Sequence, residues 1–293
     1  MYCAMGGRIP VSVIVVTRNE ERNIARCLAA LEGFDEIIIV DSHSTDRTAA
    51  IARSFGVPVI PFAWNGRYPK KRQWCLENVK TRHDYIFFLD ADEEMTPALR
   101  EEMAGCDYAH DGYFVKAAYV LGGRVARFGL KNKKLCLFDR RKFSFPAPDD
   151  LGARGLGEIE GHYQPVPSMG AVSIGSFSQV LLHHAMEDME AWKKRHQSYA
   201  AWEAVMREKK AHPDDVTLSR RMMKRMFLSL PSLQPMAAFL HSYIALGGVL
   251  DGGNGFRLAR SRYDYYRSIA SASGKGQGLF SCNKGRETAT HKD

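Results

Sequence analysis

The 293-residue chain carries a formal net charge of +8, with 45% hydrophobic and 25% charged residues. That is globular composition, which excludes a natively disordered or fibrous chain, and the length suits one large domain or a core domain with a smaller appendage. No run of about 18 apolar residues occurs, which argues against a membrane-spanning helix, while the basic excess suits a phosphate-bearing ligand or an anionic membrane surface.

Six cysteines, at positions 3, 27, 75, 106, 136 and 282, show no C-x-x-C spacing. They read as reduced thiols in a cytoplasmic setting. The short apolar run 11–16 is met by Arg18 with no small-residue cleavage site after it, so no signal peptide is expected.

In chain order, "VSVIVV" (11–16) is a β-branched run of the kind found in strands buried on both faces. "NEERNIARCLAALEG" predicts a helix stopped by Gly33, and "EIIIVD" (36–41) a second buried strand. "STDRTAAIARSFG" predicts a helix with Ser44 and Thr45 as capping candidates and Gly56 as its end. "VPVIPF", "KKRQWCLENVK" and "YIFFLD" complete a β-α-β-α-β-α-β series, the pattern of a parallel sheet covered by helices on both faces.

Residues 105–180 are strand-like and irregular, and predict mixed or antiparallel strands extending that sheet. A long helix follows at "DMEAWKKRHQSYAAWEAVMREKKA", and 217–272 reads as helical with breaks at "LPSLQP" and "GGVLDGGNG". The expected division is 1–185 as an α/β catalytic domain, 186–272 as a helical region that contacts a membrane surface, and 273–293 as a disordered polar tail.

Ligands of parallel sheets lie beyond the carboxyl ends of the strands. Asp41 and Asp90 both end strands, so the two acids are expected to face one crevice. "FLDADEE" puts Asp92 two residues after Asp90. Asp-x-Asp at the end of a buried strand can hold Mg²⁺ or Mn²⁺ through hard oxygen ligands. The other use of such acids is a helix start, and Thr96–Pro97 supplies one a few residues later.

"VVTRNEERNI", "VDSHSTDRT", "KKRQ" and "FLDADEE" occur in an order that resembles glycosyltransferase family 2 and its GT-A nucleotide-sugar fold. The resemblance covers residues 10–100. It implies that Asp41 pairs with a base, usually uracil. It also implies that Thr17, Arg18, Asn19 and Glu20 line the nucleotide, and that Arg72 contacts it. Asp90 would face ribose or metal, with Asp92 on the metal bridging the diphosphate.

Inverting sugar transfer also needs a carboxylate that deprotonates the acceptor hydroxyl. "LGEIEGHYQPVP" offers Glu160 as the base, Glu158 as the second candidate and His162 as an acceptor contact. His183 in "VLLHH" matches a histidine that completes the metal shell in similar enzymes.

"FLHSYIALGGVLDGGNGFRLARSRYDYYRS" (239–268) resembles the ending of bacterial lipopolysaccharide core glucosyltransferases. Upstream, "RRMMKRMFLSLPSLQP" interleaves cations with apolar residues, as a segment lying on an anionic membrane does; a helix packed on the catalytic domain is the other reading.

The resulting expectation is an inverting, metal-dependent transferase. It would move a sugar from a UDP-sugar, glucose first, to a lipid-anchored saccharide such as the lipopolysaccharide inner core, at the inner membrane face. Nucleic acid is not an expected partner. Transfer to polyprenyl phosphate or a capsule precursor, and a nucleotide-sugar-binding protein without turnover, are the rivals.

Overall fold

The computed structural model describes residues 8–151, 164–184, 186, 189–212 and 232–280. Among them, parallel strands β1 (Ile9–Thr17), β2 (Phe34–Asp41), β3 (Val59–Pro61) and β4 (Tyr85–Asp90) form one half of a sheet ordered β3-β2-β1-β4. Between them run α1 (Ile24–Ala29), α2 (Thr48–Ser54) and α3 (Lys71–Asn78).

After β4 come the two-residue β5 (Glu93–Glu94) and α4 (Pro97–Ala104). Thr96 caps α4 by accepting from the Leu99 amide, with Pro97 in the first turn, as the sequence signals. The expected extension follows: β6 (Gly112–Leu121), β7 (Arg124–Val125), which pairs with β6 alone, β8 (Asn132–Asp139) and, after β9 (Phe143–Ser144) and β10 (Val166–Pro167), which form a separate two-stranded sheet, β11 (Ile174–His183).

The full sheet order is β3-β2-β1-β4-β8-β6-β11-β5. β8 runs antiparallel to both β4 and β6, so β6 and its parallel neighbour β11 point the same way as β1 and β4. The carboxyl ends of β1, β2, β4, β6 and β11 therefore share one edge.

Alternation within the strands sorts the core into two layers. Val11, Val13, Val15, Phe87 and Leu89 pack with Ile24, Cys27 and Leu28 of α1 and Leu99 and Met103 of α4. Ile14, Ile86 and Phe88 pack on the opposite face with Cys75 and Leu76 of α3. Helices cover both faces, as the pattern required.

The helical region comprises α5 (Met189–Glu208), α6 (Gln234–Leu240), a π-helical turn His241–Ala245, a 3-10 turn Gly248–Asp251 and α7 (Gly252–Phe280). Leu121 and Ala126 pack with Met186, Trp192 of α5 and Leu258 of α7, which seats the helices on the sheet edge just defined. Asp150 adds a second tie. It accepts from Lys70 Nζ at 2.5 Å, Tyr68 Oη at 2.7 Å and Trp202 Nε1 of α5 at 2.8 Å. Lys70, at the start of α3, is thus a buried cation.

Two local expectations need correction. α7 continues to Phe280, so the boundary expected at residue 272 falls inside a helix; the stretch is Gly-rich but holds no proline to block it. Neither Ser44 nor Thr45 caps α2. Asp46 does that work, its Oδ1 accepting from Thr48 N at 2.9 Å and from Thr48 Oγ1 at 2.5 Å.

Candidate active site

Thr17 and Asp41 are the last residues of neighbouring strands and lie in register, so their side chains meet at the sheet edge. Thr17 Oγ1 donates to Asp41 Oδ1 at 2.8 Å. Ser44 completes the knot, its amide donating to Asp41 Oδ2 at 2.9 Å and its hydroxyl to Oδ1 at 2.5 Å. Asp41 organises a turn here, and α2 starts several residues later.

The first loop is pinned to the second. Asn19, at φ 56°, donates its amide to Ser44 Oγ at 2.8 Å, and its Oδ1 accepts the Thr45 amide at 2.8 Å. The Glu20 amide donates to Thr48 Oγ1 at 2.7 Å, while the Glu20 carboxylate accepts from Asn23 Nδ2 at 2.8 Å. Arg195 of α5 lies 3.8 Å from that carboxylate. Burial and the nearby Asp92 charge push the Glu20 carboxyl up to about 7. Arg18 sits exposed on the same loop.

At the end of β4, Asp90 is clamped between two cations. Arg72 Nη2 donates to Oδ1 at 2.7 Å and Lys134 Nζ to Oδ2 at 2.7 Å. Lys134 also lies 2.6 Å from Glu93 Oε1, and Glu93 Oε2 accepts the Asp90 amide at 3.2 Å. Burial opposes ionisation of Asp90, but Lys134 and Arg72 outweigh it and hold the carboxyl far below its usual range. For Glu93, burial wins over Lys134 and the carboxyl is raised.

Asp92 faces His183, with Nε2 3.5 Å from Oδ1, and His183 packs against Tyr119 at a centroid distance of 5.2 Å. Burial alone would lower the His183 pKa; Asp92 reverses the sign and raises it. His183 Nδ1 is buried with no hydrogen-bond partner among the described residues. The adjacent His184 instead anchors the strand end, its amide donating to Asp92 O at 2.8 Å and its Nε2 2.8 Å from Glu94 Oε2.

The structure thus brings Thr17, Asn19, Glu20, Asp41, Arg72, Asp90, Asp92 and His183 to one edge. Glu158, Glu160 and His162 lie outside the described residues. Sequence reasoning missed Lys134, which arrives on β8. The cationic run Lys131, Lys133, Lys134 ahead of an apolar strand was its one signal.

A glycosyl transferase family 2 model matches residues 12–143, the stretch that builds this edge. Residues 12–143 are thus similar to glycosyl transferase family 2. The chain is 36% identical over 125 residues to the lipopolysaccharide core biosynthesis glycosyltransferase LpsC of Rhizobium meliloti, covering 41% of this chain and 43% of that one. It is 30% identical over 146 residues to an uncharacterised glycosyltransferase of Rickettsia typhi, covering 46% and 48%. The chain thus spans less than half the length of these relatives.

Among solved structures, the fold matches the mannosyltransferase PcManGT of Pyrobaculum calidifontis, a complex with GDP-mannose and Mn²⁺. The TM-score is 0.51 at 15% identity, over 93% of this chain and 89% of that one. The GT-A architecture expected from the motifs is the one observed. Among the described residues no helix is long and apolar enough to cross a membrane.

Proposed function

We propose that this chain is an inverting glycosyltransferase that moves a sugar from a UDP-sugar to a lipid-anchored saccharide. The observation that carries the reading is the edge of the family 2 domain, where the Asp41 knot, the Arg72–Asp90–Lys134 clamp and the Asp92–His183 pair stand side by side. Asp41 and the 17–20 loop would hold the nucleoside. Arg72 and Lys134 would face its phosphates while they balance Asp90. Lipopolysaccharide core is the acceptor suggested by the LpsC name, with the inner core the first acceptor and glucose the first donor sugar to try.

A divalent cation fits these residues in part. Among the described residues no group of three or more His, Cys, Asp or Glu side chains converges on one point. Asp92 and His183 offer one oxygen and one nitrogen donor, a set that suits a cation whose remaining positions go to phosphate oxygens and water. Asp92 and His183 would hold the ion; Asp90, expected beside them, has both carboxylate oxygens taken by Arg72 and Lys134. When bound, Mg²⁺ or Mn²⁺ neutralises charge that builds on the leaving diphosphate; an imidazole donor favours Mn²⁺.

Glu160 is assigned as the base that takes the acceptor proton, with Glu158 second and His162 as an acceptor contact. That assignment rests on the sequence alone. Glu160→Gln is expected to lower turnover about 10²–10⁴-fold while UDP binding is retained. Full turnover in the variant would instead favour an acceptor already ionised, such as polyprenyl phosphate.

The deciding test is calorimetric titration of UDP and GDP, with and without Mn²⁺, on wild type and Asp92→Asn. UDP is expected to bind at least 10-fold tighter with Mn²⁺, and the variant to lose that gain. Equal UDP affinity without metal would overturn the metal assignment, and preference for GDP would overturn the donor.

A further inference from the structure

The segment formed by α6 and its π-helical turn is inside-out. Its buried positions recur every four residues and are Gln234, Ala238 and Ser242, polar or small side chains. Its outward face carries Met236, Leu240 and Ile244, and the 3-10 turn continues the ridge with Val249 and Leu250. Leu250 is 67% exposed and Ile244 63%, where an ordinary amphipathic helix would bury them. Close packing beneath explains the small side chains: a Cβ on Gly248 would lie 2.6 Å from the Ser242 carbonyl oxygen.

A second chain segment joins this ridge. The loop after β6 docks on the 3-10 turn, with the Arg127 and Phe128 amides donating to the Asp251 carboxylate at 3.1 and 2.8 Å, and the Gly129 amide to Leu246 O at 2.9 Å. The loop exposes Phe128 and Val125 beside Arg124 and Arg127. Residues 121–133 contain no acid, and 232–260 contain Asp251 alone, already occupied by those amides. Arg257 adds a further exposed cation.

We infer that this ridge docks the protein on an anionic lipid surface, with Ile244, Val249, Leu250 and Phe128 entering the acyl boundary and Arg124 and Arg127 meeting headgroup phosphates. A contiguous apolar patch with an acid-free cationic rim is what an interfacial segment requires. A second copy of the chain would bring an identical cationic rim against it, which opposes self-docking. The ridge also lies where the proposed chemistry needs it. β6 places Tyr119 against His183 and β8 places Lys134 on Asp90, so the loop between them sits at the site's own edge of the sheet.

In its orientation towards an acceptor the inference rests on the transferase reading, but its test does not need donor or acceptor. The full chain is mixed with vesicles of phosphatidylcholine containing about one-third phosphatidylglycerol, or with pure phosphatidylcholine, and the bound fraction is read by flotation. Wild type is expected to bind the anionic vesicles. Ile244→Asp with Leu250→Asp, and separately Arg124→Glu with Arg127→Glu, are each expected to bind at least 10-fold more weakly, with UDP affinity unchanged.

Equal binding to both vesicle types, or undiminished binding by both double variants, overturns the proposal. So does self-association of wild type that the Asp variant abolishes without vesicle binding. A melting temperature lowered by the Asp variant, with wild type left unbound, would assign residues 213–231 as the cover and equally overturn it. If the Asp variant fails to fold, the arginine pair, on an exposed loop, carries the test. Absence of UDP binding with intact vesicle binding would sink the transferase reading alone.

Discussion

Lys134 sets the charge balance of the proposed donor site, because one ammonium serves two carboxylates, the half-buried Asp90 and the fully buried Glu93. Breaking such an arrangement from one side leaves charge without compensation, and the usual cost is about 3–5 kcal/mol. Lys134→Met should therefore lower stability in urea by that order. Adding Glu93→Gln should recover part of the loss, since one of the stranded acids is gone, and a double-mutant cycle would measure the coupling. A loss below about 1 kcal/mol for the single variant would show that Arg72 alone holds the cluster. Asp41, Asp90 and Asp92 were legible in the sequence because a strand of apolar residues that ends in acids announces itself locally. Lys134 was not. Its neighbours are cations at a strand start, which usually means solvent, and only the pairing of β8 against β4 turns it inward.

At the level of elements, the β-α series up to β4 could be read almost residue by residue, because buried parallel strands are continuous apolar runs closed by turn residues. Helix ends were less legible. α1 is 6 residues long, its predicted first turn being drawn off by Asn19 and Glu20, which bind the neighbouring loop instead. The position of β8 between β4 and β6 has no local signature, since strand order is a property of the assembled sheet. The inside-out face of α6 follows from a helix whose small residues mark the packed side. The junction of the 3-10 turn with α7 offers a direct test of that packing. A Cβ on Gly255 would sit 1.7 Å from the Gly248 carbonyl oxygen, a backbone atom. Gly255→Ala should cost about 1–3 kcal/mol by overpacking and lower the melting temperature; an unchanged melting temperature would mean the junction shifts freely.

Across the whole molecule, His196 joins the two long helices. It stacks on Trp192 at 3.8 Å and meets Tyr265 of α7 edge-on at 5.8 Å. Nδ1 lies 2.9 Å from the Trp192 carbonyl, so Nδ1 carries the proton of the neutral ring. Burial pulls its pKa down to about 4, with the Arg195 charge adding to the effect. The folded state then prefers the neutral ring, and below pH 6.5 the unfolded chain binds a proton that the folded chain refuses. The contribution is complete above about 6.5 and lost as pH falls towards 4, reaching about 2 kcal/mol at pH 5. Relative to His196→Phe, wild type should lose that amount between pH 7 and pH 5 in urea titrations; a constant difference would disprove the linkage. The late arrival of β8 has a consequence in time. During synthesis β4 ends at residue 90, but its outer edge is paired only once residue 139 has been made. At about 5–20 residues per second, that edge stands open for about 2–10 s. An apolar strand edge exposed for so long can recruit another nascent chain. Slower growth at low temperature lengthens the interval, so soluble yield on overproduction is governed by the race between the ribosome and collision.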